Sequence, residues 1–227
     1  MTDPIIKQNT RIFTPSEYEK LRAAMDAPHY PLICDCLLLS GMRPVEFSRF
    51  QPDWYKASRR VVKLPKGACL KERCEFNERT INLSLPGCDA FDRLVSTKFK
   101  RKGKEVYAYE IYPGKVSFNE TLSRYAITAD LPEATITLRD GTQYTGPDAG
   151  VTPKAFRKTL VSWLIACFPE KSLYISSSMG HTAETIVRNY LGLGFTREEI
   201  ETMRSKYLVS WGNAEWQPNV LGNLLGP

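Results

Sequence analysis

The stretch SSSMGHTAETIVRNYLGLG, residues 176–194, carries the most specific pattern in the chain. Its histidine, His181, is one of only two in 227 residues, and Tyr190 follows it nine residues later. Apolar side chains recur at helical spacing after His181, which predicts a helix running to Tyr190. One face of that helix would be shared by Ala183, Ile186, Val187 and Tyr190. The simplest interpretation makes His181 a helix cap and Tyr190 a core residue whose hydroxyl is hydrogen-bonded.

The overall composition is that of a globular protein, with 42% apolar and 25% charged residues. No apolar run approaches the roughly 20 residues of a membrane span. The N-terminal MTDPIIKQNT lacks the basic-then-apolar pattern of a signal peptide. We therefore expect an intracellular protein with no membrane partner. A net charge of +6 favours binding to a polyanion without being diagnostic of it.

The six cysteines are scattered without a C-x-x-C pair, and histidine is scarce. Zinc sites need clustered cysteine and histidine ligands. The sequence therefore predicts reduced structural thiols, no metal site and no cofactor.

Helix signals dominate the chain. TPSE (14–17) has the N-cap, the first-turn proline and the third-position glutamate of a helix start. PLICDCLLLS (31–40) is apolar on most sides, which predicts a buried helix ended by Gly41. RRVVKLP (59–65) and RTINLSL (79–85) are typical of strands and are joined by a charged stretch. We predict an α+β fold, mainly helical with a small antiparallel sheet.

The other segments extend this pattern. FDRLVSTKFKRKGK (91–104) predicts a helix that ends in a cationic run, and SFNETLSRYAIT (117–128) predicts a further helix. Residues 130–150 form a long polar loop or an irregular hairpin. TREEIETMRSKYL (196–208) begins with a capping box, and the tail after it is broken by glycine and proline.

Cations stand at two predicted helix starts, where the partial positive charge of a helix N-terminus normally disfavours them. Arg43 directly precedes a helix-starting proline, and Lys154 and Arg157 lie in the first turn of an amphipathic helix. A bound phosphate would make these positions favourable, because backbone N–H groups and cations would converge on it. Alternatively they are solvated surface charges, or Arg43 pairs with an internal carboxylate such as Glu46.

A helical wheel of residues 154–168 assigns the buried face and the cations to different sides. The buried face consists of Phe156, Leu160, Trp163, Leu164 and Cys167. Lys154, Arg157 and Lys158 point elsewhere.

Taken in order, these residues resemble the catalytic domain of the tyrosine recombinase (phage-type integrase) family. GMRPVEFSRF (41–50) resembles its TGLR-x-x-E box, with Arg43 as the first arginine and Glu46 at the acidic position. TPKAFRKT (152–159) resembles H-x-x-R-H-T, and MGHTAETIVRNY (179–190) resembles LGH-x(8)-Y. The family also carries a lysine on a hairpin, often within G-K-G. LPKG makes Lys66 the best match, with Lys71 a lesser candidate.

The resemblance covers about residues 12–207, and we assign residues 12–208 to the catalytic domain. Residues 1–11 would be an N-terminal extension or linker. Residues 209–227 would be a tail whose apolar side chains, Trp211, Trp216 and Leu221, dock on a neighbouring protomer or fold back on their own domain. Family members usually carry a separate DNA-binding domain before the catalytic one. The sequence does not say whether this chain is a catalytic-domain fragment or a naturally minimal enzyme.

The resemblance implies phosphodiester transfer without metal or ATP. Its catalytic set would be Arg43, Lys66, Lys154, Arg157, His181 and the nucleophile Tyr190. The arginines would bind the nonbridging phosphate oxygens, and His181 would donate a third hydrogen bond. Lys66 would protonate the leaving 5′ oxygen. The product would be a 3′-phosphotyrosyl bond, reversed when a 5′-hydroxyl of a second strand attacks.

Lys154 stands where most members have histidine, as it does in some archaeal and archaeal-virus integrases. A neutral base therefore cannot be assumed at this position. Lys154 could orient the phosphate or help deprotonate the tyrosine.

The partner implied is double-stranded DNA with a specific recombination site. The protein would be a homo-tetramer on DNA and a monomer when free. It would act in the cytoplasm of a prokaryotic or archaeal host cell and could be encoded by a virus or a plasmid. Backbone phosphates would be contacted by Lys71, Arg73, Lys100, Arg101, Lys102 and Lys158. A solvated loop is the alternative for the cationic run.

Three other functions stay open at this stage. The chain could be a DNA-binding homologue that no longer cuts, or a nicking–closing enzyme similar to type IB topoisomerases. A hydrolase built on Ser176–Ser178 and His181 is less favoured, since no G-x-S-x-G turn is present.

Overall fold

The computed structural model describes residues 3–68, 78–101, 103–190 and 192–212, and the side chains of residues 183 and 187–189 lie outside this description. Within these ranges helices form most of the regular structure. They are α1 (Pro15–Ala23), α2 (His29–Ser40), α3 (Pro44–Phe47), α4 (Leu85–Ser96), α5 (Lys115–Thr128), α6 (Pro153–Cys167), α7 (Ser172–Met179), α8 (Ala183–Tyr190) and α9 (Arg197–Thr202), with a π-helical turn over Met203–Tyr207.

The strands of the described residues are short, and their pairings are antiparallel. They are β1 (Ile5–Lys7), β2 (Thr10–Ile12), β3 (Tyr55–Lys56), β4 (Val61–Leu64), β5 (Arg79–Asn82), β6 (Lys98–Arg101), β7 (Lys104–Tyr107), β8 (Ala134–Thr137) and β9 (Gln143–Gly146). One sheet has three strands in the order β3-β4-β5, and the other strands form two-stranded hairpins. The predicted α+β class, mainly helical with small antiparallel sheets, is confirmed.

Local sequence signals set the helix ends. Thr14 accepts from the backbone N–H of Glu17 while the Glu17 carboxylate accepts from Thr14, so the predicted capping box forms. Thr196 and Glu199 form the second predicted box at the start of α9. Helix α2 ends at Gly41, which adopts φ +62°, a conformation that costs glycine no steric strain.

Helix α2 lies at the centre of the core, because it is apolar around most of its circumference. It packs against α4 and α6, and Leu37 and Leu38 are fully buried. On α6, the five apolar residues predicted for the buried face are all buried. The site described below is built on these central helices, which gives it a rigid support.

The N-terminal hairpin β1–β2 packs against α6. The backbone N–H of Arg11 donates to the carbonyl of Gly150 at 3.0 Å, and its guanidinium is fully buried against Glu17. The boundary predicted between residues 11 and 12 thus falls inside strand β2.

The structure corrects the prediction for the cationic run and decides between the two alternatives for residues 130–150. Helix α4 ends at Ser96, so the cationic run does not finish a helix as predicted; it forms β6, paired with β7. Gly103, at φ +78°, supplies the turn that reverses the chain there. Residues 130–150 take the hairpin alternative as β8–β9.

The start of the C-terminal tail folds back on its own domain. The indole of Trp211 is 1% exposed, donates to the carbonyl of Asn82 at 3.1 Å and stacks on Phe168. The remaining predictions for the tail concern Trp216 and Leu221, which lie outside the described residues. Within the described part of the chain, no helix is long and apolar enough to cross a membrane.

Candidate functional site

Arg43 and Glu46 form the first part of the site at the joint between α2 and α3. Pro44 holds the preceding residue in an extended conformation, so Arg43 becomes the N-cap of α3 with ψ 147°. Glu46, one turn on, accepts from the Arg43 backbone N–H through Oε2 at 2.6 Å and from Arg43 Nη1 through Oε1 at 2.7 Å. The alternative in which Arg43 pairs with Glu46 is therefore present in the structure.

Arg79 adds a cation that was not predicted from the sequence. It opens β5 opposite Leu64, and it lies on the buried face of the sheet with Ile81. Its two terminal nitrogens donate to the two oxygens of Glu46 at 2.7 and 2.6 Å. The sequence contained a signal for this residue, because Arg79 alternates with the apolar residues on the buried face of its strand. A buried arginine needs an internal anion as its partner.

Arg157 projects from the first turns of α6 into the interior. Contrary to the helical-wheel prediction, its side chain lies among buried groups and is only 7% exposed. It donates to the carbonyl of Gly41 at 2.7 Å, to the carbonyl of Met179, and to His181 Nε2 at 3.0 Å. The carbonyls at the ends of α2 and α7 replace water around the guanidinium, which is why burial is tolerated.

His181 and Tyr190 complete the cluster. Gly180, at φ +61°, ends α7 and turns the chain towards α8. The rings of His181 and Tyr190 stack with centroids 5.9 Å apart and an interplanar angle of 13°. Tyr190 is 6% exposed; burial raises its pKa, and the positive charge of Arg157 opposes this shift.

The electrostatics of the cluster are dominated by positive charge. Three arginines surround one carboxylate, that of Glu46, whose pKa is lowered to about 2 because hydrogen bonds and charge from Arg79 outweigh its burial. Burial, with the charges of Arg79 and Arg43, lowers the pKa of Arg157 to about 9. Burial and the charges of Arg157, Arg43 and Arg79 lower the pKa of His181 to about 3.

His181 is consequently neutral near pH 7. A guanidinium can only donate, so Nε2 accepts from Arg157 and the ring proton lies on Nδ1. Nδ1 is buried and has no hydrogen-bond partner among the described residues.

Lys66 lies in the turn that follows β4. The turn closes with a hydrogen bond from Ala68 N–H to the carbonyl of Pro65, and Ala68 is buried in the core. Arg49 donates to the carbonyl of Gly67 at 3.3 Å, which ties this turn to the segment after α3. The Lys66 side chain is exposed, and no contact joins it to the arginine cluster within the described part of the chain.

The two lysines of α6 differ in their surroundings. Lys154 is exposed at the start of the helix. Lys158 is half-buried and donates to the carbonyl of Lys7 at 2.9 Å and to Gln8 at 3.3 Å. Its ammonium is therefore engaged with the N-terminal hairpin, whereas that of Lys154 faces solvent.

Of the other cations predicted to contact DNA, Lys100 and Arg101 are exposed on β6, where they line a concave surface with His29 and Phe99. Lys71, Arg73 and Lys102 lie outside the described residues.

The hydrolase alternative finds no support in the geometry. Ser178 Oγ accepts from the backbone of Asn82, and the buried Ser176 Oγ has no partner among the described residues. Neither hydroxyl is bonded to the His181 ring within that part of the chain. Among the described residues no group of three His, Cys, Asp or Glu side chains is placed to hold a metal ion.

The helical body and the small sheet beside it have the fold of a tyrosine recombinase catalytic domain. Among solved structures, the integrase of transposon Tn1549 in complex with transposon right-end DNA is similar, with a TM-score of 0.56 and 15% identity. The similarity covers 88% of this chain and 65% of that one. XerA recombinase is similar with a TM-score of 0.53 and 12% identity, over 89% of this chain and 65% of that one.

A second Tn1549 integrase structure, in complex with circular intermediate DNA, has a TM-score of 0.56 and 17% identity, over 89% of this chain and 68% of that one. No protein-family model matches the sequence, and no curated protein sequence does. The chain thus spans about two thirds of the length of these structural neighbours, and the likeness establishes the fold.

Proposed function

We propose that the protein is a site-specific DNA recombinase that cleaves and rejoins strands through a 3′-phosphotyrosyl intermediate at Tyr190. The observation that carries the proposal is the stacking of Tyr190 on His181, which is itself hydrogen-bonded to the buried Arg157. A phenol, an imidazole and a guanidinium meet in this way from α6, α8 and the turn before α8. This is the set of groups that phosphoryl transfer by tyrosine requires.

The charge of the cluster supports an anionic substrate. Arg43, Arg79 and Arg157 carry three positive charges, and Glu46 supplies one negative charge among the described contacts. Lowered pKa values at Arg157 and His181 indicate that this excess is costly in the free protein. A phosphodiester between these groups would relieve the repulsion, so binding energy would be concentrated at the reacting phosphate.

Each residue has a role in the proposed step. The Tyr190 hydroxyl releases its proton to solvent, its oxygen attacks phosphorus to form a new P–O bond, and the bond to the 5′ oxygen breaks as Lys66 gives that oxygen a proton. Arg43 and Arg157 stabilise the negative charge on the nonbridging oxygens. Arg157 also favours the tyrosinate, since its charge opposes the effect of burial on the pKa of Tyr190.

For the neutral His181 to donate a hydrogen bond to the phosphate, the substrate must displace the bond from Arg157 and the ring proton must move from the buried Nδ1 to Nε2. Lys154 occupies the position of the histidine found in most family members. Exposure leaves the Lys154 ammonium accessible to DNA. We propose that Lys154 orients the phosphate or helps to deprotonate Tyr190, as the corresponding lysine would in the archaeal integrases that share it. We also propose that the protein acts in the cytoplasm as a homo-tetramer on two DNA duplexes. Residues 12–208 contain every member of the proposed catalytic set.

The experiment uses duplex DNA from the sequences that flank the gene, with a nick placed near the candidate cleavage site. Loss of the short nicked fragment would prevent religation and trap the protein on the 3′ phosphate. We expect a covalent adduct with the wild-type protein and none with Tyr190→Phe, which should still bind the duplex.

Tyr207→Phe is the matched control. Tyr207 is also buried, but its hydroxyl donates to Glu19 at 3.1 Å and its pKa is raised by burial and by that carboxylate. We expect this variant to form the adduct. An adduct that survives Tyr190→Phe and disappears with Tyr207→Phe would refute the assignment of the nucleophile.

Two alternatives give different results in the same assay. A DNA-binding homologue that no longer cuts would bind the duplex and form no adduct. A nicking–closing enzyme would form the adduct and relax supercoiled DNA, without exchanging strands between two duplexes. Strand exchange between two labelled duplexes is therefore the result that separates recombination from topoisomerase activity.

A further inference from the structure

We propose that Arg79 is a positioning residue for the reaction: it shares the charge of Glu46 and thereby holds Arg43 ready to bind the substrate phosphate. This inference rests on the proposed recombinase function and assigns a role to a residue outside the expected catalytic set. It is carried by the four short hydrogen bonds that converge on the Glu46 carboxylate.

The carboxylate is shared evenly between two arginines. Oε1 accepts from Nη1 of Arg43 and from Nη1 of Arg79, both at 2.7 Å. Oε2 accepts from the backbone N–H of Arg43 and from Nη2 of Arg79, both at 2.6 Å. Four donors saturate the lone pairs of a carboxylate, so Glu46 is fixed in rotation as well as in place.

Sharing the carboxylate affects the charge that Arg43 can offer. In a one-to-one pair, Glu46 would neutralise Arg43 and weaken its attraction for a phosphate. With Arg79 as a second partner, the three groups together keep a positive charge. Arg79 is 4% exposed through its side chain, whereas Arg43 is 22% exposed, so only Arg43 of the two is placed to meet a ligand from solvent.

Arg79 also contacts the segment that carries the histidine. A Cβ built on Gly180 would lie 3.2 Å from Arg79 Cδ and 3.6 Å from Nε. Nε is buried and has no hydrogen-bond partner among the described residues. Arg79 therefore lies between the turn of Arg43 and the turn of His181, and the hydrogen bonds that it shares with Arg43 on Glu46 give it a route to the reaction through Arg43.

The test measures single-turnover adduct formation on the nicked duplex at saturating protein. We expect Arg79→Lys to slow the reaction by about tenfold to a hundredfold, the scale of a misplaced catalytic group. DNA affinity should stay within about threefold, because Arg79 is too buried to contact the backbone. In an Arg43→Ala background the same substitution should cost less than about threefold, since its route of action is already removed.

Arg11→Lys is the matched control. Arg11 is fully buried and bonded to Glu17, and its other side-chain partners, the carbonyls of Pro132 and Pro147, lie outside the site. It should lower the unfolding temperature and leave the adduct rate per folded molecule unchanged. If Arg79→Lys does not fold, the Arg79→Met/Glu46→Met double variant removes both charges and keeps the apolar volume; it should fold and show the slow reaction.

Losses that multiply in the Arg79→Lys/Arg43→Ala double variant would overturn the proposal, because Arg79 would then act independently of Arg43. An unchanged rate for Arg79→Lys would overturn it too. A measurement that does not depend on DNA cleavage separates this inference from the proposed function. NMR relaxation of the ¹⁵Nε–¹H group should show a rigid Arg43 side chain in the wild-type protein and a mobile one in Arg79→Lys. If the wild-type protein forms no adduct, the function is wrong, and this measurement still decides whether Arg79 positions Arg43.

Discussion

Arg157 donates through Nη2 to Nε2 of His181 at 3.0 Å, and the same guanidinium holds the carbonyl of Gly41. One buried side chain thus ties the end of α2 to the turn that precedes α8. The bond requires a neutral imidazole, because a protonated ring has no lone pair to accept it. Protonation of His181 would break this link, which makes the site sensitive to acid.

Stability should rise with pH between about 4.5 and 6.5. The pKa of His181 is about 3 in the folded protein against 6.5 for an unperturbed histidine. Between these values the unfolded chain binds more protons, so the free energy of unfolding increases with pH, by about 2–3 kcal/mol over this window. Glu46, with its pKa lowered from 4.5 to about 2, acts in the same direction at lower pH. Denaturant titrations at several pH values measure the slope.

Variants of the two histidines show which residue causes the rise of the free energy of unfolding with pH. His29 also has a lowered pKa, caused by burial and the charge of Arg101. His181→Gln should remove the larger part of the slope and His29→Gln the smaller part. A slope unchanged by His181→Gln would show that its ring is charged or solvated in the folded protein.

Gly180→Ala should destabilise the protein and slow adduct formation. The residue has φ +61°, and a Cβ would press on Arg79 at 3.2 Å. We expect a loss of about 1–3 kcal/mol in the free energy of unfolding. Gly141→Ala is the control, since Gly141 has φ +86° with no atom within 4 Å of the added Cβ. Equal losses for the two variants would mean that the contact with Arg79 has no effect.

Lys154→Met should lower the rate of adduct formation, whereas Lys158→Met should lower the stability of the fold. Lys154 is exposed, so its loss should leave the unfolding temperature unchanged and lower the adduct rate by about tenfold or more. Lys158 bonds the N-terminal hairpin, so its loss should cost about 1 kcal/mol of stability with little effect on rate. A normal adduct rate in Lys154→Met would remove this lysine from the proposed mechanism.

The β6–β7 hairpin should contact DNA phosphates through Lys100 and Arg101. Each substitution by alanine should weaken binding and reduce the slope of log affinity against log salt by about one. Fluorescence anisotropy at several salt concentrations measures the slope. Lys20→Ala, on the exposed side of α1, is the control. Slopes identical to the wild-type value would show that Lys100 and Arg101 do not contact DNA phosphates.

Trp211→Ala should cost about 3–5 kcal/mol at every protein concentration. The indole packs on Phe168 and Tyr174 of its own domain and donates to Asn82. Trp211→Phe keeps the stacking and loses the hydrogen bond, which should cost about 1 kcal/mol. Denaturant unfolding over a hundredfold range of concentration is the measurement. A loss that appears only at high concentration would indicate docking on a neighbouring protomer.

Local signals in the sequence were sufficient for much of the fold. The boxes at Thr14 and Thr196 predicted the starts of α1 and α9, and Gly41 predicted the end of α2. The two strand patterns after residue 59 correspond to β4 and β5. Each of these features depends on residues within one turn or on two-residue alternation, so the sequence alone contains the required information.

The arrangement of the site was decided by tertiary structure. Arg157 lies on the interior side of its helix because the carbonyls of Gly41 and Met179 are there to receive it. Arg79 pairs with Glu46 across 33 positions of sequence, and this pairing exists only because β5 packs beside the turn that begins α3. A buried cation is stable only where a specific acceptor meets it in space, and no pattern of neighbouring residues encodes that acceptor.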